Sequence, residues 1–171
     1  MAFLIDGFNL LYKFPEFEGM MYAHRLEDAR IGLLNLLKQY GKISGKQLRV
    51  VFDGKKQPSL NITRERYASI DVYYSLDYSA DFLIKQFIKK DINPKMTTVV
   101  TSDKDIIFYV NRFKAKVMKS EDFAALVDKT IKEWSEAKVP EKDDNPMLTD
   151  EEVSFWENMF KKRSPKKKGT L

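Results

Sequence analysis

Three short apolar runs in this chain each end on an aspartate. Ala2-Phe3-Leu4-Ile5 stops at Asp6-Gly7, Leu48 to Phe52 stops at Asp53-Gly54, and Thr97 to Thr101 stops at Ser102-Asp103-Lys104-Asp105. A fourth acid, Asp81, opens an apolar-periodic segment after "YYSLDYSA". Burying an unpaired carboxylate in a strand is costly, so one at the last position belongs where the strand emerges. If the strands are neighbours, Asp6, Asp53, Asp81 and Asp103 gather on one edge. Unpaired carboxylates that close repel one another, and the cluster calls for a cation. All-oxygen ligation suits Mg²⁺ or Mn²⁺ rather than zinc. Asn9, just after Asp6, adds a further oxygen ligand or phosphate contact.

Each acid also has an ordinary structural role. Asp-Gly is a turn dipeptide, at 6–7 and at 53–54. An acid such as Asp81, following Ser79, is favoured at a helix start by the dipole alone. Ser102-x-x-Asp105 has the form of a capping box, and Asp105 is assigned to it. His24, the only histidine, reads as a surface or cap residue rather than a base.

The elements that must position these groups alternate. Strand candidates are 2–6, 47–53, 70–75, 97–102 and 115–118, rich in β-branched and aromatic residues and bounded by turns. Helical periodicity runs through 25–40, 80–90 and 121–137. This order predicts an α/β fold, a parallel sheet of about five strands with helices on both faces. In such sheets ligands bind outside the carboxyl ends of the strands, where the aspartates stand. The domain is expected over 1–137, followed by a polar, proline-bearing connector at 138–148. A C-terminal helix is expected over 149–163, with Thr149 as N-cap and Glu152 three residues on. Its stripe of Val153, Trp156, Met159 and Phe160 is expected to dock on the body. Residues 164–171 read as a disordered basic tail.

Composition narrows the function classes. A length of 171 residues with 43% hydrophobic content suits one globular domain. The absence of cysteine excludes disulfides, thiol catalysis and a thiolate zinc site. No secretory or membrane-length apolar run appears, so the expectation is a cytoplasmic protein without a membrane partner. There is no P-loop or Gly-x-Gly-x-x-Gly, hence no nucleotide cofactor. An aspartyl phosphatase would want a second Asp at Phe8, and a phospho-receiver would want an acidic pair where only Asp6 stands. The net charge of +5 sits in the tail: without Lys161, Lys162, Arg163, Lys166, Lys167 and Lys168, 24 basic residues face 25 acidic ones.

Taken together, "LIDGFNLL", "VVFDGKK", "SADFLIKQFI" and "VVTSDKDI" resemble the NYN branch of the PIN-like nucleases, and the YacP-like group most closely. "NRFKAKVMKSEDFAALV" extends the likeness, which spans about residues 2–135. The resemblance implies a Rossmann-like PIN fold and divalent-metal-dependent cleavage of RNA, with Asp6, Asp81 and Asp103 as catalytic metal ligands. Asp53 aligns with the "FDG" acid of the related flap nucleases as a further ligand, with Asn9 and Ser102 as candidate substrate contacts. It also implies bacterial RNA turnover, with the ribosome as a further candidate partner.

Ser79-Ala80-Asp81-Phe82 stands where flap-type enzymes carry Glu-Ala-Asp-Asp. That departure keeps open a catalytically silent PIN-like module that binds RNA or ribosomes. With no Ser-His pair, the expected attacking group is water activated by the metal, leaving a 5′-phosphate and a 3′-hydroxyl. The loop after the second strand offers Lys55, Lys56, Arg64 and Arg66 beside Tyr67 for phosphates and bases, and Phe8 and Tyr12 lie near Asp6.

The tail generates a first prediction. Deleting residues 161–171 should weaken RNA binding and flatten its salt dependence. Single-stranded RNA gives a log–log slope of roughly −0.7 per neutralised phosphate, so six contacts account for at most about −4. Salt titrations of both chains that give the same slope would exclude the tail from binding.

Overall fold

The inner strands of this chain, Ala2–Asp6, Gln47–Phe52 and Thr97–Val100, are apolar on both sides, and the sheet they form is covered on both. The structure, a computed structural model, describes residues 1–54, 63–138 and 150–163. Lys55, Lys56, Thr149, residues 139–148 of the expected connector and the tail from 164 lie outside the described residues.

Six strands run in the order β3-β4-β2-β1-β5-β6. They are β1 (Ala2–Asp6), β2 (Gln47–Phe52), β3 (Arg64–Tyr67), β4 (Ile70–Tyr74), β5 (Thr97–Val100) and β6 (Lys116–Met118). All neighbouring pairs are parallel except β3 with β4. The expected α/β fold is present, with one strand more than anticipated. The sequence of β3, Arg64-Glu65-Arg66-Tyr67, reads as loop because it has no apolar face. Its partner supplies what the pattern lacks: Arg64 and Arg66 both reach Asp71 Oδ1 on β4, at 3.0 and 3.1 Å.

Among the described residues the α-helices are α1 (Gly7–Leu11), α2 (Pro15–Tyr22), α3 (Leu26–Ser44), α4 (Ala80–Lys90) and α5 (Lys104–Asn111), which connect strands, and α6 (Ser120–Lys138) and α7 (Asp150–Arg163), which follow them. Phe3, Ile5, Val50, Phe52 and Val72 face a core filled by Leu33 and Leu37 of α3 and by Phe123 and Val127 of α6. The alternate strand residues Leu4, Val51 and Val99 face Ile84 and Ile88 of α4 and Ile106 and Val110 of α5. This is the period-two division of a strand buried on both sides. Trp156 and Met159 of α7 are buried in the first core, so the expected docking of that helix holds. The side chains of Glu152, Val153 and Phe160 are outside the described residues.

The first two helices were not anticipated, and Gly7 explains why. Asp6-Gly7 has the form of a turn dipeptide, but Gly7 begins α1 directly after β1. A Cβ on Gly7 would lie 2.6 Å from the Phe52 ring and 3.0 Å from the Val51 carbonyl oxygen. The glycine is there for close approach of α1 to β2. Gly54 does take the left-handed backbone that a turn needs, at φ +85°. Gly7→Ala should therefore destabilise by about 1–3 kcal/mol, the cost of overpacking against a ring that has no exposure and cannot swing away. Thermal melts check this, and an unchanged melting temperature would show that α1 can shift.

Candidate active site

The connections make a topological switch point at the carboxyl ends of β1 and β5. From β1 the chain goes toward β2 through helices on one face, and from β5 it goes the other way toward β6 through α5 on the opposite face. Adjacent strands whose connections diverge in this manner form the switch point where α/β sheets bind ligands. Asp6 is the last residue of β1, and Asp103 stands three residues past Val100 in the neighbouring strand.

Asp6 is the most perturbed acid of the group. Burial pushes its carboxyl up to about 6, against a hydrogen bond from Thr101 and one from the Asn9 backbone, with the charges of Asp103 and Asp81 adding to the rise. The three expected acids thus share one field. The Thr101 Oγ1–H donates to Asp6 Oδ2 at 3.1 Å, and the same oxygen accepts from the Asp103 amide at 3.1 Å. Thr101 is fully buried. Its signal in the sequence is a hydroxyl at the end of a strand, followed closely by acids.

Asp103 has a structural duty as well. It is the N-cap of α5, and its Oδ1 accepts from the Asp105 amide at 2.9 Å. The cap expected from Ser102 and Asp105 is therefore corrected. The Asp105 carboxylate turns instead to Lys85 Nζ, at 2.5 Å. Lys85 also reaches Asp81 Oδ1 at 2.9 Å, one turn away on α4. Hydrogen bonds to Asp105 and Asp81 hold the Lys85 ammonium above its usual range. Ser79 caps α4 by accepting from the Phe82 amide at 3.0 Å.

The remaining candidates are tied into the scaffold. Asp53 Oδ1 accepts from Ser75 Oγ at 3.1 Å and from the Ala80 amide at 3.2 Å, fastening the end of β2 to the start of α4. Asn9 Oδ1 accepts from the Ser102 amide at 2.9 Å and from Ser120 Oγ at 2.5 Å. Ser102 Oγ donates to Glu121 at 2.9 Å and accepts from the Ser120 amide at 3.1 Å. Arg64 and Arg66 sit on edge strand β3, three strands from Asp6. Tyr67 donates to Asn35, and Phe8 packs edge-on against Phe52.

Among the described residues no three acidic or histidine side chains converge tightly enough to hold an ion between them. A Mg²⁺-type ion does not require that. It keeps several waters and takes one or two carboxylates, with substrate phosphate completing the shell. The donors here are all oxygen, and burial, with a smaller addition from the charges of Asp103 and Asp81, raises Asp6, so Asp6 with Asp103, backed by Asp81, fits such an ion.

This gives a signed prediction. The raised Asp6 makes the folded state the tighter proton binder, so its contribution is greatest near and below pH 3.8 and is lost as pH rises toward 6. In chelator, Asp6→Asn should match wild type near pH 4. It should be the more stable by pH 7, by up to about 2–3 kcal/mol. A variant destabilised equally at both pH values would mark Asp6 as a structural acid.

Comparisons with known proteins agree with this layout. A sequence model of the YacP-like NYN domain matches residues 3–161. Two solved structures of Rae1 (YacP) from Bacillus subtilis share the fold. One, a point mutant, superposes with a TM-score of 0.66 at 18% identity, covering 95% of this chain and 99% of the other. The second gives 0.63 at 18% identity, covering 95% and 91%. No curated protein matches the chain. With a six-stranded PIN-like sheet and a family match over nearly its whole length, this chain belongs to the YacP-like NYN domain family of PIN-like nucleases.

Proposed function

We propose that the protein is an endoribonuclease that hydrolyses RNA phosphodiester bonds with the help of Mg²⁺ or Mn²⁺, and that it acts in RNA turnover. The observation that carries this reading is the buried Asp6 carboxyl at the switch point, raised to about 6 in the company of Asp103 and Asp81. Asp6 and Asp103 would hold the ion, with Asp81 behind them. When bound, it would supply charge neutralisation at the scissile phosphate and a more acidic water.

The chain's own groups hold the geometry for that chemistry. Thr101 fixes one Asp6 oxygen and the amide of Asp103 together, so the two carboxylates keep their spacing without substrate. Lys85 places an ammonium beside Asp81, a charge suited to a phosphate oxygen. Water attacks phosphorus in line, the bond to the 3′ oxygen breaks, and that oxygen takes a proton. The ends left are a 5′-phosphate and a 3′-hydroxyl.

A second reading has its own support. Lys85 already neutralises Asp81 and Asp105, which suits a module that binds RNA without cutting it. End analysis of RNA incubated with pure protein separates the two. Cleavage with Mn²⁺, abolished by EDTA and giving the stated ends, is expected. Binding without cleavage under both conditions would leave the silent module. Asp103→Asn and Asp6→Asn should each lower kcat by about a hundredfold or more and weaken Mn²⁺ binding. Retained cleavage in both variants would move the reaction away from this edge.

A further inference from the structure

Tyr78 and Phe82 are aromatic residues left in solvent, 68% and 44% exposed. Their rings stack on each other, with centroids 5.0 Å apart and planes 19° from parallel. They bracket the Ser79 cap and the first turn of α4, and Asp81 lies between them in the chain. Phe82 is also one of the two departures from the flap-nuclease pattern, standing where an acid is usual. We propose that this pair is a platform for an unpaired nucleobase of the substrate strand, beside Asp81. This rests on the ribonuclease reading and adds that the strand is single-stranded at the site.

The platform is held before any ligand arrives. Ser75 Oγ lies 2.8 Å from the Tyr78 carbonyl oxygen and 3.1 Å from Asp53 Oδ1, with one proton to share between them, and Ser79 Oγ accepts the Phe82 amide at 3.0 Å. The Ala80 amide donates to Asp53 and the Gly54 amide donates to Ser75 Oγ, so the backbone under the rings is tied to the end of β2. A base stacking there loses little ordering entropy to the protein side. Every base has a π-face, so such a contact selects unpaired strand over duplex and carries no sequence code. The neighbouring charges suit the same ligand. Lys85, one turn along α4 from Asp81, is the cation within reach of the backbone phosphate.

An apolar residue before an N-cap often packs on the helix to fix its entry angle, and Tyr78 has that position. A packing role needs only an apolar partner; a stacking role needs an aromatic one. The full-length chain is therefore compared as wild type, Tyr78→Ala, Phe82→Leu and Phe82→Tyr. Binding is read in EDTA with a short single-stranded oligoribonucleotide carrying a fluorescent purine whose emission is quenched by stacking.

Tyr78→Ala and Phe82→Leu should each weaken binding about tenfold and reduce the quenching. Phe82→Tyr should restore both, and affinity for duplex RNA of the same sequence should not change among the four proteins. Equal single-strand binding by Phe82→Leu and wild type would overturn the platform. So would equal losses for duplex and single strand, which would mean a misplaced helix. Cleavage by wild type with Mn²⁺ is scored in parallel. Wild-type cleavage with unchanged binding in the variants rejects the platform alone. Absent cleavage with the predicted binding losses rejects the nuclease reading and keeps the platform.

Discussion

One hydroxyl, that of Thr101, sets the geometry of the carboxyl edge. It has a single proton, and Asp6 receives it; a lone pair then takes the Asp103 amide. The Thr101 amide donates to the Met118 carbonyl, so the ends of β1, β5 and β6 meet at this residue. Its complete burial removes water as a competitor for either bond. A carboxylate gains most from such a bond where burial is already penalising its charge, which is the condition of Asp6.

The edge this hydroxyl organises has two unlike walls. On the β5 side, Asn9, Ser102, Ser120 and Glu121 form a continuous hydrogen-bonded chain across α1, the loop before α5 and α6. On the α4 side, Asp81 is held by Lys85, whose other partner is the largely exposed Asp105. Surface ion pairs of that kind rearrange at little cost. The first wall keeps its shape while the second can exchange a carboxylate for a phosphate.

Much of this was legible in the chain. That Asp6 shares an edge with Asp103 and Asp81 was legible because a parallel sheet collects its strand ends, and the helix starts beside them, at one edge. Misplaced features share one cause: their partners are remote in sequence. Asn9 reads as a free amide until Ser102 and Ser120 are brought to it from 93 and 111 residues away. Asp105 fits a local capping pattern, yet Lys85, 20 residues upstream, claims its carboxylate. Gly7 looks like a turn glycine because nothing in the sequence places the Phe52 ring against it. The β3 strand was invisible for a related reason, since its stabilising partner Asp71 lies across a hairpin rather than within the strand's own alternation.

That short antiparallel strand has a bearing on how the molecule behaves among its own copies. An open sheet ends in rows of unpaired amides and carbonyls, and long flat apolar edges recruit further strands. Here one border is β3, four residues with Arg64 and Arg66 exposed and drawn to Asp71. The opposite border, β6, is three residues long and begins on an exposed lysine. A strand adding to either side would have to settle against charge on a border too short to reward it. The same arginines that look like ligand contacts in the sequence thus make this border of a mostly parallel sheet a poor template for a further strand.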